Sequence, residues 1–219
     1  MRTVPQIRFK FEVECEDPSP ARVILALTGE IVEYMGDSQN PFNIGTVSSF
    51  LIQRDRALNE GVSLSQAMDA VSKATLECFE ALFDPETEDW SAAVVELYGH
   101  DIVDTNVLFI ESIELAAEFR GKGIGRQVAI ELISGLGAGC GLVAVNPRPS
   151  QYSESDDPKQ GLGQDRHYSA RRMEDFAKIE AFWMKLGFRQ LPGSALFTYA
   201  PQLERQPVGD SGGAGRRIQ

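Results

Sequence analysis

Arg120-Gly121-Lys122-Gly123-Ile124-Gly125 stands between a hydrophobic run, Val107-Leu108-Phe109-Ile110-Glu111-Ser112-Ile113-Glu114-Leu115, and an amphipathic one, Arg126 to Leu136 (RQVAIELISGL). The first run reads as a buried strand and the second as a helix. A strand, a glycine-rich turn and a helix start together make an anion site. Successive backbone N–H groups can wrap a phosphate there, and the positive end of the helix dipole adds to the attraction. Glycine suits such a turn because a Cβ would oppose positive φ and block close approach of a ligand. The turn therefore predicts a phosphorylated cofactor.

Three phosphate-binding patterns compete for it. A nucleotide P-loop closes on Lys-Ser or Lys-Thr, and here Lys122 is followed by Gly123. A dinucleotide fingerprint needs G-x-G-x-x-G and an acidic residue after the next strand. The glycines are instead spaced G-x-G-x-G, and the strand Cys140 to Val145 ends in Asn146. The third pattern fits. Arg120-x-x-Gly123-x-Gly125 resembles the Arg/Gln-x-x-Gly-x-Gly/Ala signature of the GNAT superfamily of acetyl-CoA-dependent N-acetyltransferases. About 60 residues on, Ala181-Phe182-Trp183-Met184-Lys185-Leu186-Gly187-Phe188 is similar to that family's Phe-Tyr-x-Lys-x-Gly-Phe segment. The resemblance covers roughly Val107 to Tyr199.

The resemblance implies an α+β fold with a mixed, mostly antiparallel central sheet flanked by helices. It implies acetyl-CoA as cosubstrate, its pyrophosphate cradled by Arg120, Gly121, Lys122, Gly123, Ile124, Gly125 and Arg126. It further implies that the thioester and pantetheine pair with the central strand at Ile113, Glu114 and Leu115, where a neighbouring strand diverges. The activity implied is transfer of the acetyl group to an amine of a small molecule or protein by direct attack in a ternary complex.

Such chemistry needs a base for the ammonium, stabilisation of an oxyanion and departure of a thiolate. Glu111 and Glu114 are the candidate bases, and simple alternation puts them on opposite faces of the strand. Glu111 shares the parity of Val107, Phe109, Ile113 and Leu115, from which family members often present a glutamate, and ranks first. The bland alternative is a carboxylate at the strand's wet edge, or one salt-bridged to Arg120 or Lys122. At Trp183 the family commonly has a tyrosine proposed to protonate the leaving thiolate, and an indole N–H is no acid at useful pH. Tyr168 or Tyr152 could substitute, or the chain could be a catalytically reduced, acyl-CoA-binding or regulatory relative. An unrelated α+β partner-binding domain is the third reading. His167 and Arg171-Arg172 read more simply as solvated residues than as ligand contacts.

The 219 residues suffice for one domain with a sizeable core, expected over 1–205, with a long loop at about 147–170 and a disordered tail over 206–219. The net charge of −11 argues against nucleic acid; it permits a cationic acceptor, though solubility is the simpler explanation. No apolar run approaches a membrane span, and Cys15, Cys78 and Cys140 stand singly among apolar neighbours, as reduced thiols do. A cytoplasmic protein without metal is expected, with an amine acceptor of unnamed identity and a homodimer allowed.

Along the chain, alternation predicts a strand over Gln6 to Glu14. Arg22 to Leu27 and Glu30 to Tyr34 are strand-like on either side of Thr28-Gly29, and Ile44 to Gln53 follows. A single helix is expected from the Ser63…Gln66 capping spacing through Leu82, before Asp84-Pro85. A second runs from about Met173 to Leu186, and the strands Phe188 to Leu191 and Leu196 to Tyr199 form a closing hairpin.

Overall fold

The computed structural model describes residues 7–8, 19–33, 41–148 and 166–204. Most of the expected 147–170 loop, the 206–219 tail, Cys15, Tyr152 and most of the first predicted strand lie outside them. Among the described residues seven strands form one sheet: β1 (Ile7–Arg8), β2 (Ile24–Glu33), β3 (Phe42–Ile52), β4 (Val107–Leu115), β5 (Leu142–Val145), β6 (Arg189–Gln190) and β7 (Phe197–Tyr199). Their order is β1-β2-β3-β4-β5-β7-β6. Every neighbouring pair is antiparallel except β4–β5. This is the expected α+β architecture, a mixed and mostly antiparallel sheet flanked by helices.

Each face of the sheet buries its own core. Phe50, Val107, Phe109, Leu142 and Ala144 project from one face onto the helices α1 (Arg54–Glu60), α2 (Leu64–Val71), α3 (Lys73–Leu82) and α4 (Ala92–Tyr98). Val47, Leu108, Ile110, Val143 and Val145 project from the other onto α5 (Ile124–Leu136) and α6 (Arg166–Met184). Residues 107–110 of β4 and all of β5 are thus buried on both sides, which is why they read as continuous hydrophobic runs.

Three sequence expectations are corrected. Thr28-Gly29 does not separate two strands: β2 runs straight through it, with Gly29 buried in the ladder opposite Val47. The single helix over 64–82 is two. Ser72, with φ −166° and ψ 161°, ends α2 and caps α3, its Oγ accepting from Thr75 N while Thr75 Oγ1 accepts from Ser72 N. The hydrophobic period runs on across the break, so only the local hydrogen bonds reveal it. The last long helix starts at Arg166, several residues ahead of the apolar period that predicted Met173.

Two register shifts shape the middle of the sheet. Ile31 pairs with Gly45 but Val32 with Asn43, so Ile44 is an extra residue in β3. Ser48 pairs with Ser112 but Ser49 with Ile110, so Glu111 is an extra residue in β4. At Gly45 the β3 and β4 backbones come close enough that an ideal Cβ would overlap the Glu114 carbonyl oxygen, and glycine is required for that reason alone. Gly45→Ala should lower stability by about 1–3 kcal/mol, the usual cost of overpacking. Chemical denaturation followed by circular dichroism measures it, and an unchanged midpoint would mean that the two strands can separate freely here.

Candidate functional site

The site begins where β4 loses a neighbour. β5 pairs with β4 only from Val107↔Leu142 to Ile110↔Val145, while β4 continues to Leu115. The bulge at Glu111 falls at the first position past that pairing. On the β3 side pairing resumes after the bulge and runs to the strand's end: Ala116 N–H donates to the Ile44 carbonyl at 2.9 Å. Backbone groups of successive strand residues point to opposite sides. Leu115 and Ile113 therefore turn their N–H and C=O groups to the edge that β5 has left. The Leu115 carbonyl is taken there by Arg120 Nε at 2.8 Å.

The bulge also resets which side chains share a face. One inserted residue moves everything after it to the other side of the sheet. Val107 and Phe109 pack toward α1–α4, whereas Ile113 and Leu115 pack against the α5–α6 core. The expectation that Glu111 shares a face with all four is thus half right. It keeps company with Val107 and Phe109, and the slip carries Ile113 and Leu115 away. Glu114 is likewise not on the opposite face from Glu111. It pairs with Thr46, two residues from Ser48 on β3, and Ser48 Oγ donates to Glu111 Oε2 at 2.5 Å. Both carboxylates are exposed and lie on the same side of the strand. Ser48, rather than Arg120 or Lys122, is the hydrogen-bond partner of Glu111.

From the end of β4 a 3-10 turn (Ala117–Phe119) leads to the glycine-rich segment. Gly121 (φ 71°) and Gly123 (φ 83°) take the left-handed conformation, and an ideal Cβ on either would meet nothing within 4 Å. Glycine is needed at both for the backbone angle, and the space beside both is open. Gly125 differs: its φ is ordinary, and a Cβ would touch Leu115 Cδ1 at 3.7 Å, a normal contact. The requirement for glycine read from the sequence thus applies to 121 and 123 and not to 125. Ile124 sends its side chain into the core and offers the site only its backbone.

Gly123 caps α5 without any side-chain hydrogen bond, whereas Ser63, Ser72 and Ser91 cap α2, α3 and α4 with their hydroxyls. The first-turn N–H groups of α5 are consequently left to solvent or a ligand. Three cations, Arg120, Lys122 and Arg126, are exposed around them, and among the described residues none is ion-paired with a carboxylate. Lys122 Nζ rests 5.3 Å from the Phe119 ring centroid, and Phe119 in turn meets Phe42 of β3 at 6.2 Å. Electrostatically the turn is a positive spot on an acidic protein.

Trp183, at the end of α6, is only 4% exposed. It meets Phe182 and Phe188 edge-on, with centroids 5.2 and 4.9 Å away, and Phe188 stacks on Tyr199. The indole is a core side chain. Tyr168 and His167 lie in the first turn of α6. Cys78 and Cys140 are buried free thiols. Burial pushes the Cys78 thiol far up, and burial with a lesser contribution from Asp104 pushes Cys140 up to about 11, so neither is a nucleophile at neutral pH. Among the described residues no group of His, Cys, Asp and Glu could hold a metal ion, and no helix is long and apolar enough to cross a membrane.

Ser48 is the residue that sequence reasoning missed. It stands 63 positions from Glu111 in a run of serines on β3, and only the β3–β4 register brings the two together.

No family model and no curated protein matches this chain. Solved structures similar to it include a crystal structure of a KacT mutant, 15% identical, covering 81% of this chain and 72% of that one, with a TM-score of 0.41. The KacTA–DNA complex is 12% identical, with coverage of 83% and 70% and the same TM-score of 0.41. Similarity at that level carries no information about ligand or partner.

The packing of Trp183 gives a direct test of its role. Trp183→Ala should cost about 3–5 kcal/mol of stability, the scale for emptying a buried aromatic site, and Trp183→Phe clearly less. Thermal or urea unfolding measures both. Equal stability of the alanine variant and wild type would show that the ring is not part of the core.

Proposed function

We propose that this chain is an acetyl-CoA-dependent N-acetyltransferase whose acceptor is an amine of a small molecule or a protein. The observation that supports the reading is the edge of β4 at Ile113 and Leu115, which no strand among the described residues pairs with. It stands next to a glycine-opened helix start with no side-chain cap and a carboxylate at Glu111. A phosphate cradle, a strip of free backbone and a base candidate, contiguous in one chain segment, are what an acyl-CoA and an attacking amine require.

The residues present fit that cosubstrate. The first-turn N–H groups of α5, with Gly121, Gly123, Arg120, Lys122 and Arg126 around them, would hold the pyrophosphate. The Ile113 N–H and C=O and the Leu115 N–H would pair with the amides of the pantetheine arm, as an added strand pairs with a sheet edge. Acetyl-CoA supplies an activated acetyl carbon and leaves as its thiol. Glu111 accepts a proton from the incoming ammonium, so that the amine nitrogen regains its lone pair for attack. Glu114, on the same side, favours a positively charged acceptor. The proposal includes a cytosolic setting and excludes nucleic acid as acceptor, in keeping with the net charge of −11.

A second reading has one observation in its favour. Trp183 stands where the resemblance places a proton-donating tyrosine, and it is buried in the core. A chain that binds acetyl-CoA without turning it over, as a regulatory acyl-CoA-binding protein would, needs no acid there.

Isothermal titration with acetyl-CoA and CoA, followed by thiol release across small primary amines and lysine-containing peptides, separates the readings. The enzyme reading expects both binding and release. Binding without release for any amine favours the binding protein, and absence of binding removes both. Gly123→Val places a branched Cβ in the open space beside the turn at a strained backbone angle, and should abolish binding while circular dichroism still reports a folded protein. Glu111→Gln should cut turnover about a hundredfold, the scale for losing a general base, with acetyl-CoA affinity little changed. Normal turnover in that variant would exclude Glu111 as the base.

A further inference from the structure

We infer that Ser48 is a positioning residue, and that it fixes the Glu111 carboxylate for proton transfer from across the sheet. The inference rests on the acetyltransferase reading, and concerns how its base is held.

A bulge residue has no partner across the ladder, so nothing in the regular hydrogen-bonding pattern fixes where its side chain points. Glu111 is such a residue, and it is exposed, on a strand whose other neighbour has already ended. A glutamate in that setting would sample several rotamers in water. The structure removes that freedom with one contact. Ser48 Oγ donates to Glu111 Oε2 at 2.5 Å, a short distance typical of a hydroxyl on a carboxylate. Ser48 is itself half-buried in the middle of β3, paired on one side with Thr28 and on the other with Ser112. Its backbone is as fixed as any in the sheet. The hydroxyl therefore ties a mobile carboxylate to a rigid strand.

The division of labour between the two carboxylate oxygens follows. Oε2 is occupied by the serine, and among the described residues no hydrogen bond reaches Oε1. Oε1 is the oxygen left to take the proton. The N–H bond of the ammonium breaks, its electron pair stays on nitrogen, and the proton forms a new bond to Oε1. The Ser48 proton stays on the serine throughout. Ser48 thus touches neither acceptor nor thioester, and acts only through Glu111.

The test is a double-mutant cycle on the full-length chain: wild type, Ser48→Ala, Glu111→Gln and the double variant. It is assayed by thiol release from acetyl-CoA with whichever amine of the panel gives the fastest reaction. Ser48→Ala should lower kcat about tenfold, the scale for one hydrogen bond to a charged group, with the KM for acetyl-CoA unchanged. Ser48→Thr, which keeps the hydroxyl and suits a strand, should restore most of it. In the Glu111→Gln background Ser48→Ala should add little, because the group it positions is gone. A purely structural serine would cost the same in both backgrounds. If Glu111→Gln is slow and Ser48→Ala is not, the positioning role is overturned while the acetyltransferase reading stands. If Glu111→Gln is fully active, the assignment of the base fails first.

A second readout needs no turnover. Side-chain three-bond couplings of Glu111 in isotopically labelled protein should report one dominant χ1 rotamer in wild type and averaging in Ser48→Ala, with Ser48→Thr like wild type. Equal averaging in wild type and Ser48→Ala would overturn the inference even if no amine supports release.

Discussion

Pairing between β4 and β5 stops after four residues, and the rest of the site follows from that short overlap. Had β5 continued alongside β4, the N–H and C=O groups of Ile113 and Leu115 would have been consumed by the sheet. Left as they are, they form a polar edge in the middle of the sheet that the described residues make. An unpaired edge is a liability in most proteins, because it invites another strand. Here it is only a few residues long. Its far end is closed by Arg120, whose Nε occupies the Leu115 carbonyl. What remains free among the described residues is the Ile113 N–H and C=O and the Leu115 N–H.

The bulge at Glu111 turns that edge into an asymmetric site. Without it, strict alternation would carry Ile113 and Leu115 to the face packed by α1–α4. With it, they pack against α5 and α6 and pin the outer end of β4 onto the same core that carries the glycine-rich turn. The helix start and the free strand edge are thus held by one hydrophobic cluster. The two Glu side chains stay together on the other face. A one-residue insertion thus separates an apolar, packed face from a face that carries two exposed carboxylates. The cost is an unpaired residue in the ladder, and Ser48 offsets part of it by supplying Glu111 with a partner.

Legibility in the sequence follows the range of the interaction. The strand, glycine turn and helix of Val107 to Leu136 were readable because every determinant is local: apolar runs, two glycines at positive φ, and a helical period. The break at Ser72 was not, because Thr75 can stand in for the usual Glu or Gln of a capping box and the apolar period continues across it. Thr28-Gly29 misled in the opposite way. Glycine often punctuates structure, yet in β2 it is a ladder position opposite Val47, and nothing nearby in sequence says so. The faces of Glu111 and Glu114 were misread for a third reason. A bulge belongs to the pairing of two strands, and neither strand carries a mark of it alone. For the same cause the partnership of Ser48 with Glu111, 63 residues apart, was beyond reach of any motif.

Charge adds a last constraint on what the site can hold. The chain carries 32 acidic and 21 basic side chains, so a polyanion approaching at random meets repulsion. Arg120, Lys122 and Arg126 reverse that sign within a single turn. Screening confines each exposed charge to roughly 8 Å at physiological salt, so the reversal is local to the turn. Across the bulge, Glu111 and Glu114 carry the opposite sign. A ligand pair satisfying both ends is anionic where it meets the helix and cationic where it meets the strand. On the acetyltransferase proposal, an acyl-CoA would take the helix end and a protonated amine the strand end, the order in which the turn and β4 lie along the chain being the reverse of that.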